Sequence, residues 1–335
     1  GTARGSGNVY AINYRVNEPS TTNVNISDNY ITGVLNSTST ALGNSAAIWL
    51  GQSTANGTVS NVTIERNVIS DVESGKSDKF AAGIYIGVAW GAGTGGVDAP
   101  VISDNTITDI TGGIAYGVLL EGETPDAVVS NNLIDNVSGL PANPTAAVGV
   151  AVTDTNTGAA TVSITENSLT NVAYGVVNTA SVKINASSNW WGTTDETAID
   201  ETLTYGLVDF TPYLGTGTNL KAAGQPGFAP DFSSLYVSAK GEQVQSGGRI
   251  SEAVGLVEDD GIIHVQTGTY TENVDTVAGG KDITLAVGPT LGQVTGQVTV
   301  DGNWALGAND TLESEIDGAA PETGYDQWVV PVTTH

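Results

Sequence analysis

VNISDNYITGV (24–34), VTIERNVISDV (62–72), PVISDNTITDI (100–110), AVVSNNLIDNV (127–137) and VSITENSLTNV (162–172) are five copies of one pattern. Each places one asparagine at the same offset: Asn29, Asn67, Asn105, Asn132 and Asn167. Apolar residues stand three before it (Ile26, Ile64, Ile102, Val129, Ile164) and two after it (Ile31, Ile69, Ile107, Ile134, Leu169). A degenerate sixth copy, VKINASSNWWG, follows at 182–192. Between the copies recurs a shorter apolar motif: AIWL (47–50), GIYI (83–86), GVLL (117–120), GVAV (149–152) and GVVN (175–178). The asparagines are 38, 38, 27 and 35 residues apart. A constant motif at unequal spacing means a fixed turn of structure with loops of varying length inserted at its corners.

Such a unit cannot bury its apolar face alone, whereas stacked copies share one continuous core. The expected fold is therefore all-β: a right-handed parallel β-helix whose strands pair turn upon turn at about 4.8 Å. Asparagine suits a corner because it tolerates left-handed backbone, and stacked asparagine side chains can hydrogen-bond along the stack. The five asparagines are read as a structural corner ladder rather than as ligands or catalytic groups.

Composition agrees. Asn, Gly, Thr, Ser and Val are abundant, as strands and tight corners require. Acidic groups outnumber basic ones by 36 to 10, for a net charge of −26, which excludes a nucleic-acid partner because phosphate binding needs clustered cations. There is no cysteine and no methionine among the 335 residues, so thiol chemistry and disulfides are excluded and the chain reads as a processed product or a piece of a longer precursor. No apolar run has the length of a transmembrane helix, and no signal peptide is visible. An extracellular or cell-surface location is the expectation.

The repeats, over roughly residues 8–192, resemble those of the pectate-lyase-like superfamily, especially the non-enzymatic copies in large bacterial surface and adhesin-type proteins. The resemblance implies the fold, and it leaves function open between lyases, hydrolases, epimerases and adhesins. The run SSNWWGTTDE (187–196) resembles the signatures that end such coils, often before a Pro-aromatic segment, here VDFTPYL (208–214). Trp190 and Trp191 are read as the cap that plugs the open core, with carbohydrate stacking as the alternative.

The domains expected are 1–192, the parallel β-helix; 193–234, a capping segment and linker rich in Gly and Pro; and 235–335, a second β-rich domain. In the last, Ile250, Ala253, Val254 and Val257 share one helical face, so one short amphipathic helix precedes the strands of IIHVQTGTYTENV (262–274) and DITLAVG (282–288). This resembles the opening of a fresh β-helix, the helix covering its first turn. TLESEIDG (311–318) and YDQWVV (325–330) resemble adhesin passenger repeats.

No catalytic set stands out, and the chain is read as not an enzyme. Arg66, between Glu65 and Asn67, reads as the partner of a nearby acid rather than as a lyase base. Asp259 and Asp260 read as turn residues, and His264 as alternating outward from an apolar strand. No cofactor is expected. Calcium stays open without an assigned site, with Asp28, Asp104 and Asp126 as corner acids. The favoured function is an extracellular structural or adhesive module, part of a larger surface protein or a head-to-tail assembly of copies. The alternative is a carbohydrate-binding or carbohydrate-active protein, with extracellular polysaccharide as partner and Trp49, Tyr85 and Trp90 as sugar-stacking rings. Binding loops would lie near 35–46, 51–61 and 87–99.

Overall fold

A computed structural model describes residues 7–16, 20–36, 43–52, 58–88, 96–277, 280–288, 297–313 and 327–329. The protein is all-β, with short helical segments and sheets that are mostly parallel. Three sheets make up the first two thirds. The first holds Val9–Val16, Ser45–Gln52, Phe80–Val88, Ile114–Leu120, Ala147–Val152, Tyr174–Asn178 and Thr204–Tyr205. The second includes Ser20–Ser27, Thr58–Glu65, Val101–Ser103, Val128–Ser130, Ser163–Thr165, Ile184–Asn185 and Val208–Asp209. The third holds Tyr30–Asn36, Val68–Ser74, Thr106–Gly112, Leu133–Gly139 and Ser168–Thr170, extended by a bridge from Ser168 to Trp190. The chain visits first, second and third sheet in order and then returns to the first, with one strand per visit except where Gly96–Asp98 and Val101–Ser103 both pair with Thr58–Glu65 of the second sheet.

The register keeps equivalent residues of the repeats in contact. Ile31 pairs with Ile69, Ile69 with Ile107, Ile107 with Ile134, and Ile134 with Leu169. On the second sheet Ile26, Ile64, Ile102, Val129 and Ile164 stack in the same way. All these side chains are buried in one continuous core.

That core is narrow opposite the short motif, which explains its leading glycine. A Cβ on Gly83 would meet Ile107 Cγ2 at 2.4 Å, and one on Gly117 would meet Ile134 Cγ2 at 2.5 Å. At Gly175 the same atom would strike the ring of Trp191 at 2.7 Å. The glycine column receives the apolar row that stands two residues after each asparagine.

The strands continue past residue 192. Thr204–Tyr205 extends the first sheet and Val208–Asp209 the second, while Ile199, Phe210 and Tyr213 join the core. Tyr213–Leu214 then pairs antiparallel with Leu235–Tyr236. The intervening 215–234 is packed rather than free: Phe228 is buried, its N–H donates to the Asn131 carbonyl at 2.7 Å, and Lys221 pairs with Asp104 at 2.5 Å.

A second set of sheets follows. Ser234–Val237, Ile262–Val265, Thr284–Val287 and Thr311–Glu313 form one. Gly268–Tyr270, Gln297–Val300 and Gln327–Val329 form the next, and Val274–Asp275 with Trp304–Ala305 the last. Apart from the antiparallel Tyr213–Leu214 junction, their neighbours pair in parallel. Helix Arg249–Leu256 buries Ile250, Ala253 and Val254 against this core, and Val257 follows them in. Its amino end is held by Glu272, whose carboxylate accepts from the Ile250 and Ser251 N–H groups at 3.1 and 2.9 Å. Gly248 precedes it with φ +99°, where a Cβ would collide with the Glu272 side chain. The remainder of the 311–318 and 325–330 segments lies outside the described residues.

Candidate functional site

The asparagines form one unbroken chain of hydrogen bonds. Asn29 Nδ2 donates to Asn67 Oδ1 at 2.8 Å, Asn67 to Asn105 at 2.9 Å, Asn105 to Asn132 at 3.0 Å and Asn132 to Asn167 at 3.0 Å. A sixth member, Asn189, accepts from Asn167 at 3.0 Å. Each acceptor oxygen also takes the backbone N–H of the asparagine before it. From Asn67 to Asn189 these side chains are buried, and their Nδ2 groups also reach backbone carbonyls, as Asn105 does to Ile64 and Ser103. The ladder has one polarity, each member before Asn189 donating forward along the chain. Asn189 belongs to the degenerate copy, where the doubled serine and doubled tryptophan disguise the register.

The left-handed backbone lies one residue earlier than expected. Asp28, Arg66, Asp104, Asn131, Glu166 and Ser188 have φ between 53° and 62°, and the ladder asparagines do not have positive φ. Asparagine is needed there for its carboxamide, which donates and accepts at once, rather than for its backbone tolerance.

The tryptophans part company. Trp191 stands two after Asn189 and is buried in the core as the last member of the row that faces the glycine column. Trp190 points the other way, lies half-buried beside Gly217, and packs with Leu133 on the second core. The pair does not close the sheets, because a further turn lies beyond it.

Trp49 and Tyr85 occupy matching positions of adjacent strands. Both are buried, at 5% and 7% exposure, with ring centroids 6.3 Å apart. Tyr10 stacks on Trp49 at 5.3 Å, Phe80 meets Tyr85 edge-on, and the Tyr85 hydroxyl bonds to the Glu121 carboxylate. Each ring lies over the glycine two residues on: a Cβ on Gly51 would meet Trp49, and one on Gly87 would meet Tyr85. A sugar platform needs an open ring face, and these two rings offer none. Trp90 lies outside the described residues, as do 37–42, 53–57 and 89–95 of the three long loops.

Two of the three corner acids are paired with cations. Arg66 bridges to Asp28 at 2.9 Å and to Glu65 at 2.7 Å, and holds the Asp28 carboxyl below the usual range. Asp104 takes Lys221. Asp126 is exposed at a left-handed corner. Asp259 accepts the Asp282 N–H, and Asp260 sits in the turn with φ 62°. His264 stacks on Tyr236 at 4.4 Å, and burial pushes its pKa down. Among the described residues no group of three His, Cys, Asp or Glu side chains is placed to hold a metal.

One concave region was not announced by the sequence. A groove of about 440 Å³ opens where helix Arg249–Leu256 meets the outer side of the second sheet. Its walls carry hydroxyls from Ser163, Thr165, Ser187 and Ser251, and carboxylates from Glu166 and Glu252. Glu252 Oε1 accepts from Ser187 Oγ at 2.8 Å, while its buried Oε2 has no partner. Burial raises the Glu252 pKa to about 7, with the Ser187 hydroxyl opposing. Nearby Asp209 is fully buried; Oδ2 accepts the Val244 N–H at 2.6 Å and Oδ1 has no partner. Burial raises it to about 6, opposed chiefly by the Val244 N–H. The one available signal was Asp209 itself, a carboxylate between Val208 and Phe210 in an apolar run.

No family model, curated protein or solved structure matches this chain.

Proposed function

We propose that the chain is a right-handed parallel β-helix, followed by a second, shorter coil, and that it serves as an extracellular structural or adhesive module. The observation that carries this reading is the asparagine ladder, six residues long and buried from Asn67 onward. A buried carboxamide column satisfied at every step makes a stiff rod, since each unmade bond would leave a buried polar group without a partner. The stacked apolar rows and the close-fitting glycine column add to that stiffness. Stiffness serves a spacer or scaffold. The surface acids already answered by Arg66 and Lys221 suit the same role.

Further copies, or further turns of a longer surface protein, would add to the first turn. Among the described residues Val9–Val16, Ser20–Ser27 and Tyr30–Asn36 each pair on one side only. An open strand edge is a template for another strand.

The reading is tested by incubating the protein with a panel of acidic and neutral polysaccharides and examining the products by mass spectrometry. Unchanged polymers are expected. Release of oligosaccharides would overturn the structural reading in favour of a carbohydrate-active one.

A further inference from the structure

The helix Arg249–Leu256 belongs to the second core by its apolar face and touches the first three sheets by its polar one. That polar contact is built from acids. Glu252 leans on Ser187, in the turn that follows the Ile184–Asn185 strand of the second sheet, and Asp209, at the end of the same sheet, receives the Val244 N–H from the segment leading into the helix. Each carboxyl uses one oxygen for that bond and buries the other without a hydrogen-bond partner; at Asp209 burial opposes the ionised form by more than the Thr211 and Gln245 N–H groups also favour it.

Among the described residues no cation forms an ion pair with either acid, and burial raises both pKa values by more than the attraction of Arg249 lowers them. Arg249, the nearest, spends its guanidinium on the carbonyls of Ser238, Lys240, Gly241 and Glu242. Lys183 pairs with Glu242 at 2.8 Å. The remaining charged groups facing the contact are Glu272, committed to the helix amino end, and Glu166 on the groove rim, bonded to Asn131. An ionised carboxylate with a bare buried oxygen among further acids costs more than a protonated one. The empty oxygen is the one that would carry the proton.

We propose that the seam between helix Arg249–Leu256 and the first three sheets is a proton-controlled latch: closed while Asp209 and Glu252 are protonated, and loosened when both ionise. The sign follows from the direction of the shifts. Both groups are held above the ordinary carboxyl range, to about 6 and about 7, so the closed seam binds more protons than the open one. Closure is strongest below about pH 4, where both carboxyls are protonated in the open seam as well, and is lost progressively as pH rises through 6 to 7. The latch stands on the seam alone, whatever the function of the whole chain.

The test is hydrogen exchange of the 238–257 backbone amides on the intact chain between pH 5 and 8, corrected for intrinsic exchange chemistry. Protection of these amides is expected to fall on the order of a hundredfold across that range, while the ladder strands keep theirs. Glu252→Gln combined with Asp209→Asn should flatten the dependence; if the pair fails to fold, Glu252→Gln alone should shallow it. Glu166→Gln removes the same charge from the rim and should leave the slope unchanged. A pH-independent seam in the wild type, or an undiminished slope in the Glu252→Gln protein, would overturn the proposal.

Discussion

At the scale of single residues, two adjacent positions divide the work of the corner. The first takes left-handed backbone, and Asp, Asn, Arg, Glu and Ser all serve there. The second needs a donor and an acceptor on one short side chain, and it is asparagine six times over. Asn105→Leu therefore removes the acceptor of Asn67 and the donor to Ile64 and Ser103 inside the core. With each orphaned buried group costing about 1–3 kcal/mol, urea unfolding should show a loss of about 3 kcal/mol or more. The same left-handed geometry recurs four residues after the asparagine, at Gly33, Asp71, Asp109, Asn136 and Asn171. There the side chain is dispensable and the backbone is not. Asn136→Gly should stay within about 1 kcal/mol of the wild type, whereas Asn136→Val should cost about 1–2 kcal/mol because a β-branched side chain crowds left-handed backbone that asparagine tolerates.

Among elements, the informative pairing is a glycine column against an isoleucine row. The short motifs and the asparagine units were both legible in the sequence, because their residues repeat. That one would lock into the other was not, since the contact crosses the core between segments that vary in spacing. Gly117→Ala would drive a Cβ to 2.5 Å from Ile134 Cγ2 and 2.6 Å from the Gly149 carbonyl. Overpacking of this kind costs about 1–3 kcal/mol, and a lowered thermal midpoint should report it. Trp191 follows the same rule: the slot in front of Gly175 accepts a large ring because the column leaves room for it. Its doubled neighbour made it look like a terminal plug, whereas its offset from Asn189 marks it as one more core residue.

Over the whole molecule, parallel strands and the asparagine register could be read from repetition, and the helix from its apolar face. The segment 215–234 could not. Its Gly and Pro content suggests a loose linker, yet Phe228 is buried and Gly227, with φ +86°, brings the backbone to Asp104, where a Cβ would lie 2.6 Å from its Cα. One aromatic anchors it, and composition hides a single anchor. Phe228→Ala should cost about 3–5 kcal/mol if the strap and the core unfold together, and otherwise should speed hydrogen exchange at 215–233 alone. The seam acids were equally hidden, since burial arises only when the helix meets sheets formed far earlier in the chain.

The account rests on the ladder, and the side-chain carboxamide protons of asparagine report it directly. In ¹⁵N-asparagine-labelled protein, the Nδ2 protons of Asn67, Asn105, Asn132, Asn167 and Asn189 should exchange with solvent only on global unfolding, orders of magnitude more slowly than that of exposed Asn136. Rapid exchange at Asn105 and Asn132, in the middle of the column, would contradict it.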